Sequence, residues 1–366
     1  SLDTYVYGPK EDIFHRLQWK RPYPREWIQR FTRFVKEGKK KRIIVIPCLS
    51  PGLSYDYCSV SDYKTLVNKF NAFIACGAET VGLFMDDIPE KLPINCMRSF
   101  PSLGHAHAVL LSRLLNSLRN QNPAVSLWFC PTVYCDFLAK NGVKKSQYLR
   151  DLSAGIPKDI PVFWTGQSVI SKIIDRKNIA AITSLFSGNI IIWDNLYAND
   201  YCPHRLFVGP YRGRQRSLLA SARGICLNPT GLVQTDMMLL GRLAAFVNKK
   251  RRIDASRGLI NGQSHPGSFT AVSRFFDSPF AETAKSDFVS SKLETYQKAL
   301  KRLLHEWKSS LQREWYPFLF MLDRDVTLLK HSRKNTLLRN WIDKYYSPVL
   351  SFVLTRDLAR DKRKKT

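Results

Sequence analysis

The sequence predicts an α/β chain folded as a (β/α)8 barrel of the TIM type, followed by a C-terminal helical region. Three observations carry that prediction. Short apolar runs recur over the first 250 residues, with amphipathic helical patterns between most of them, the alternation that builds parallel βαβ units. Polar residues follow the apolar runs at their C-terminal ends, where such barrels assemble their sites. A chain of 366 residues has room for a barrel of roughly 250 residues and a smaller appendage.

In chain order, strands are expected at Thr4–Tyr7, Arg42–Pro47, Thr80–Met85, Ser126–Cys130, Val162–Thr165, Asn189–Trp193 and Gly224–Leu227. Helical patterns such as Tyr63–Cys76 and Ala106–Leu118 separate them. That makes seven strands, one short of eight. The barrel domain is read over 1–250, and a Gly/Ser-rich, poorly periodic linker over 251–280. A helical bundle bracing the barrel is expected over 281–366. There, Leu293, Tyr296, Leu300, Leu303, Leu304 and Trp307 recur at spacings of three and four, giving one apolar stripe. The basic end, Asp357–Thr366, is expected to fray.

The third strand carries the chemistry. Its run Val81-Gly82-Leu83-Phe84-Met85 closes on Asp86 and Asp87 before Ile88-Pro89. Successive strand side chains point to opposite faces, so two adjacent carboxylates converge on one site only where the strand ends and the chain turns outward. Close like charges then raise one pKa and leave the other group ionised, which prepares an acid beside an anion. The plainer reading is an Asp capping the next helix beside a solvated neighbour. A second polar cluster favours the site. Asp194, Asn195, Asn199 and Asp200 follow another apolar strand, interleaved with Trp193, Tyr197 and Tyr201. Carboxylates and amides suit the hydroxyls of a sugar ring, and aromatic rings suit its C–H face.

These segments resemble the O-GlcNAcase/β-N-acetylglucosaminidase family of glycoside hydrolases, hyaluronidase-like enzymes among them. The resemblance runs from about residue 3 to about residue 250, through YVYGPKEDIFHRLQWK at 5–20, CLSPGL at 48–53, LFMDDI at 83–88 and FCPTVYC at 129–135. VFWTG at 162–166, WDNLYANDY with RLFVGPYRGR at 193–214, and LNPTG at 227–231 complete it. The family's first strand, with its Gly-Phe-Tyr-Gly segment, has no counterpart here, and an open or distorted closure is expected beside Lys10. Ser1 begins almost directly on a strand, so the natural N-terminus is expected upstream.

The resemblance implies substrate-assisted retaining hydrolysis of terminal β-linked N-acetylglucosamine, in which the substrate's acetamide oxygen is the nucleophile and an oxazoline forms. It assigns Asp86 to polarising the acetamide N–H and Asp87 to general acid and then base. Asn195 falls at the acetamide, Asp200 and Asn228 at ring hydroxyls, and Lys10 at the far side of the ring. Tyr134 falls beside the acetamide methyl, and Trp193 walls the pocket. Val133 stands where the family commonly has an acidic residue. No cofactor and no metal are implied.

Composition bounds the rest. Net charge is +27, from 57 Lys and Arg against 30 Asp and Glu, concentrated at Lys36–Arg42, Lys249–Arg252 and Arg360–Lys365. Those patches largely lack aromatic residues, so nucleic acid is expected only as a non-specific partner of a basic surface. The partner expected is a GlcNAc-bearing glycoprotein or glycan. No apolar stretch approaches the roughly 18 residues of a membrane span. The eight cysteines form no CxxC pair, and the spacing shows no metal or redox logic. Free thiols in apolar strands point to a reducing, cytoplasmic compartment. His105 and His107 lie two apart at a helix start and are read as structural. Two alternatives compete: a GlcNAc-binding pseudoenzyme without turnover, and a basic nucleic-acid-binding scaffold.

Overall fold

The computed structural model describes residues 2–198, 211–230 and 233–248. The expected linker and C-terminal bundle, together with Asn199, Asp200 and Cys202, lie outside the described residues. The chain divides into two compact units, one of Ser1–Asp194 with Gly213–Cys226, the other of Asn195–Arg212 with Leu227–Thr366.

The strands are β1 (Thr4–Tyr7), β2 (Ile44–Leu49), β3 (Thr80–Phe84), β4 (Ser126–Cys130), β5 (Val162–Trp164), β6 (Ile190–Asp194) and β7 (Gly224–Leu227). They form one sheet in chain order, with β1 and β7 as its end strands among the described residues. Every ladder from β1 to β6 is parallel. Between the strands lie α1 (Arg25–Lys40), α2 (Val60–Ala75), α3 (Leu103–Arg119), α4 (Gln147–Gly155) and α5 (Arg176–Leu185), and α6 (Val233–Val247) follows β7. This is the architecture of a TIM-type barrel. Among the described residues, no helix is long and apolar enough to cross a membrane.

Local chemistry fixes the helix starts. Ser59, Ser102, Ser146 and Asp175 each accept the N–H three residues on, the N-cap bond that satisfies an orphan donor. Each such cap contributes about 1 kcal/mol. Helix α1 opens instead behind Pro24, and its Trp27, Ile28, Phe31 and Val35 turn one face to the core. Strand β2 begins two residues later than the sequence predicts. Arg42 has φ 58°, a left-handed conformation that ends the α1 connection and cannot continue into a strand.

Alternate strand residues separate two apolar clusters, as the twofold pleat demands. Val45, Leu83, Phe129, Trp164 and Ile190 join the helices in the larger cluster. Ile46, Cys48, Phe84, Cys130, Phe163 and Ile191 form the smaller inner one. Both strand faces are therefore buried, which explains continuous apolar runs rather than alternation. Gly82 is required by this packing, since a Cβ there would lie 2.4 Å from Cys48 Sγ.

Candidate active site

The ladder registers bring strand ends together. Cys48 pairs with Gly82, Phe84 with Cys130, and Trp164 with Ile192, so the residues after β2, β3, β4 and β5 emerge along one edge. Beyond β3 the chain remains tied to β4. The Met85 N–H donates to the Cys130 carbonyl at 2.8 Å, and Thr132 Oγ1 donates to the Met85 carbonyl at 2.7 Å. Asp87 then turns left-handed, with φ 54°. That turn breaks the strand's alternation and allows two successive carboxylates to serve one site.

Asp87 is held from two sides. Lys10 Nζ donates to its Oδ2 at 2.7 Å, and the Tyr134 hydroxyl donates to its Oδ1 at 2.9 Å. Burial alone would raise its pKa, but the Lys10 ammonium, and then the Tyr134 hydroxyl, outweigh it and hold Asp87 below the ordinary carboxylate value. Asp86 stands in the opposite state. Its Oδ1 is buried with no hydrogen-bond partner among the described residues. Burial first, and the charge of Asp87 second, push it up to about 6. Between the depressed pKa of Asp87 and about pH 6 the pair holds one proton, and Asp86 carries it.

The surroundings keep this arrangement rigid. Lys10 lies on the loop after β1, anchored by Asp12, which accepts from the Tyr7 hydroxyl at 3.0 Å and the Tyr23 hydroxyl at 3.1 Å. Tyr134 is fixed through its carbonyl, which accepts the Thr165 N–H at 2.8 Å. Its phenol is raised, first by burial and then by the charge of Asp87, so it remains a donor. Trp193 packs its ring 5.2 Å from Phe84 and 5.1 Å from Phe163, against the inner cluster. Val133, which stands where the family commonly has an acidic residue, is buried in the core, and the hydroxyl of Tyr134 takes Asp87 as its partner.

Lys10, Asp87 and Tyr134 are thus brought into direct contact within the first unit, with Asp86 beside them and Trp193 packed on Phe84. Asn195 and Asn228 belong to the second unit, where the Asn228 side-chain amide donates to Asn195 Oδ1 at 2.9 Å. Asp200 lies outside the described residues. His107 is buried between the hydroxyls of Tyr57 and Tyr148, at 2.7 and 2.8 Å, and burial lowers it to about 3; it is a neutral packing hub. Cys48 and Cys130, near Asp86, are held protonated, first by burial.

Two positioning residues were not assigned from the sequence. Asp12 is one. Arg214 is the other: its guanidinium grips Asp194 with two bonds, Nε at 2.7 Å and Nη2 at 2.5 Å, in full burial. It also donates to the carbonyls of Lys172 and Ser171, at 3.2 and 3.1 Å. Arg214 sits in the GPYRGR stretch quoted above, but nothing local marks its partner.

The family profile described as beta-N-acetylglucosaminidase matches residues 1–266. This chain belongs to that family. Protein O-GlcNAcase of Rattus norvegicus and that of Mus musculus are each 28% identical over 307 residues, covering 84% of this chain and 33% of theirs. The chain therefore spans about a third of the length of these curated relatives. A solved mutant of the O-GlcNAc hydrolase of Thermobaculum terrenum shares its fold, with a TM-score of 0.74 and 24% identity, over 99% of this chain and 83% of that one.

Proposed function

We propose that this chain is a glycoside hydrolase removing terminal β-linked N-acetylglucosamine, from modified proteins or glycans, by substrate-assisted retaining catalysis. The observation that carries the reading is the split dyad: two adjacent carboxylates on one strand end, one raised to about 6 and one depressed. Paired titratable groups with separated pKa values are how a site divides acid from anion. The family, and relatives named as O-GlcNAcase, support the choice of sugar.

The proton must change place on binding. An acetamide N–H donating to the unpartnered Oδ1 of Asp86 favours its ionised form. A ring hydroxyl taking the Lys10 ammonium relieves Asp87, which then gains the proton and acts as general acid to the leaving oxygen. The ionised Asp86 orients the acetamide and stabilises the positive charge that develops on its nitrogen as the carbonyl oxygen attacks the anomeric carbon. Asp87, now a carboxylate, takes a proton from the water that opens the oxazoline. Trp193 supplies an apolar wall; the assignment of Asn195 to the acetamide and of Asp200 and Asn228 to ring hydroxyls rests on the family resemblance. The test is hydrolysis of a fluorogenic β-N-acetylglucosaminide, followed by NMR of the first-formed anomer. Release of the β-anomer is expected. Tight GlcNAc binding with no turnover would replace this reading with a sugar-binding pseudoenzyme.

A further inference from the structure

Away from the dyad, a second group of side chains has the composition of a metal site. Asp56 and Cys58 lie on the connection from β2 to α2, just before the Ser59 cap. Cys96 closes the short 3-10 turn Ile94–Cys96 on the connection from β3 to α3. One carboxylate oxygen and the two sulfurs lie within 4.8 Å of one another, the one such group of three ligating side chains among the described residues. Cys96 Sγ stands 3.2 Å from Asp56 Oδ1. A tetrahedral zinc site with bonds of about 2.3 Å to sulfur and about 2.0 Å to oxygen has a sulfur–oxygen edge of about 3.5 Å, so small rotamer shifts admit the ion.

The carboxylate is also oriented as a metal ligand is. Its Oδ2 accepts from Asn95 Nδ2 at 3.0 Å, and its Oδ1 accepts the Cys58 N–H at 2.9 Å. Such outer hydrogen bonds fix the direction of a ligating group. Cys96 is fully buried, whereas Cys58 is exposed, which leaves one side open for a water as fourth ligand. Two thiols with one carboxylate select a soft ion such as zinc over magnesium or calcium.

We propose that Asp56, Cys58 and Cys96 form a zinc site that ties the β2–α2 connection to the β3–α3 connection. The tie has a local consequence. Gly52, on the same β2–α2 connection, lies so close to Ile88 and Met85 that a Cβ would stand 3.0 and 3.2 Å from their side chains. The ion thereby steadies the connection that packs beside Asp86 and Asp87.

The test uses the full chain, stripped with chelator, kept reduced and titrated with Zn2+ by calorimetry, with Co2+ as a spectroscopic probe. One equivalent of zinc is expected to bind. Co2+ is expected to show thiolate charge-transfer absorption with the intense d–d bands of a tetrahedral ion. Cys58→Ser, at an exposed position that does not threaten the fold, should weaken zinc by at least about 100-fold, and Asp56→Asn by about 10- to 100-fold. Cys76→Ala, at a buried thiol outside the group, should change neither. Zinc should raise the melting temperature of the wild type and not that of Cys58→Ser. Three results would overturn the proposal: zinc affinity equal in wild type and Cys58→Ser, a weak octahedral cobalt spectrum, or failure of zinc to protect Cys58 from alkylation.

Discussion

Lys10 Nζ lies 2.7 Å from Asp87 Oδ2, so in the free protein the residue assigned as general acid is held as a carboxylate by a cation from the loop after β1. The pair's side chains are 55% and 37% exposed, and water screens them, so the contact contributes little to stability. Its effect is on proton placement. The dyad holds one proton between the depressed pKa of Asp87 and about pH 6. The working state, with the proton on Asp87, is the minor tautomer of that same singly protonated pair. kcat/KM should therefore fall as pH rises through about 6, because the one proton is lost there. Lys10→Met removes a charge that lowers both carboxylates, so this alkaline limb should move to higher pH. Asp136, which burial also raises to about 6, is the control, and Asp136→Asn should leave the limb in place. A pH–rate profile in which Lys10→Met leaves the limb unmoved would sink the account.

Leaving-group dependence separates the two carboxylates. Asp87→Asn should cost roughly 100- to 10,000-fold on a substrate with a poor leaving group and largely spare an aryl glycoside whose phenolate departs unaided. Asp86→Asn should slow both, since oxazoline formation is itself impaired. Steady-state rates on the two substrates decide it, and an equal loss on both in Asp87→Asn would reverse the assignment.

Asp86 also destabilises the fold at neutral pH. Its folded pKa is raised above the unfolded value, so its stability contribution is fully present below the unfolded pKa and is lost as pH rises through about 6. Asp86→Asn should therefore raise the unfolding free energy at pH 7.5 by about 1–3 kcal/mol, with the gain vanishing near pH 4. Urea melts at the two pH values measure this. A gain that persists at pH 4 would point to a cause other than charge burial.

Arg214 and Asp194 form a buried, bidentate pair. Arg214→Met removes two charge-assisted hydrogen bonds from a fully buried carboxylate at the end of β6 and should cost about 3–5 kcal/mol in thermal or urea unfolding. A loss below 1 kcal/mol would mean that Asp194 finds other compensation.

Recognition can be tested at Asp200 and with a reaction mimic. Asp200→Ala should weaken GlcNAc-like inhibitors by about 1.5–3 kcal/mol, the scale of a hydrogen bond to a charged group. A thiazoline resembling the oxazoline should bind the intact protein far better than GlcNAc itself, because it resembles the reacting species. Equal affinities in calorimetry would remove substrate assistance.

Much of this was legible in the chain because it depends on local order. The apolar runs ending at Phe84, Cys130, Trp164 and Asp194 are strands buried on both faces, and the helical patterns at Tyr63–Cys76 and Ala106–Leu118 overlap α2 and α3. Asp86 and Asp87 are neighbours in sequence, so their pairing at a strand end needed no fold to be seen. The tertiary structure decided which carboxylate keeps its proton to the higher pH. Lys10 and Tyr134 reach Asp87 from other strand ends, and Asp86 Oδ1 has no such partner among the described residues, so the split reflects contacts across 77 and 47 residues. The same holds for Arg214 on Asp194, and for Cys96 beside Asp56 and Cys58. Sequence periodicity reports which face of an element is buried, whereas the side chains that meet across strand ends are chosen by the register of the parallel sheet.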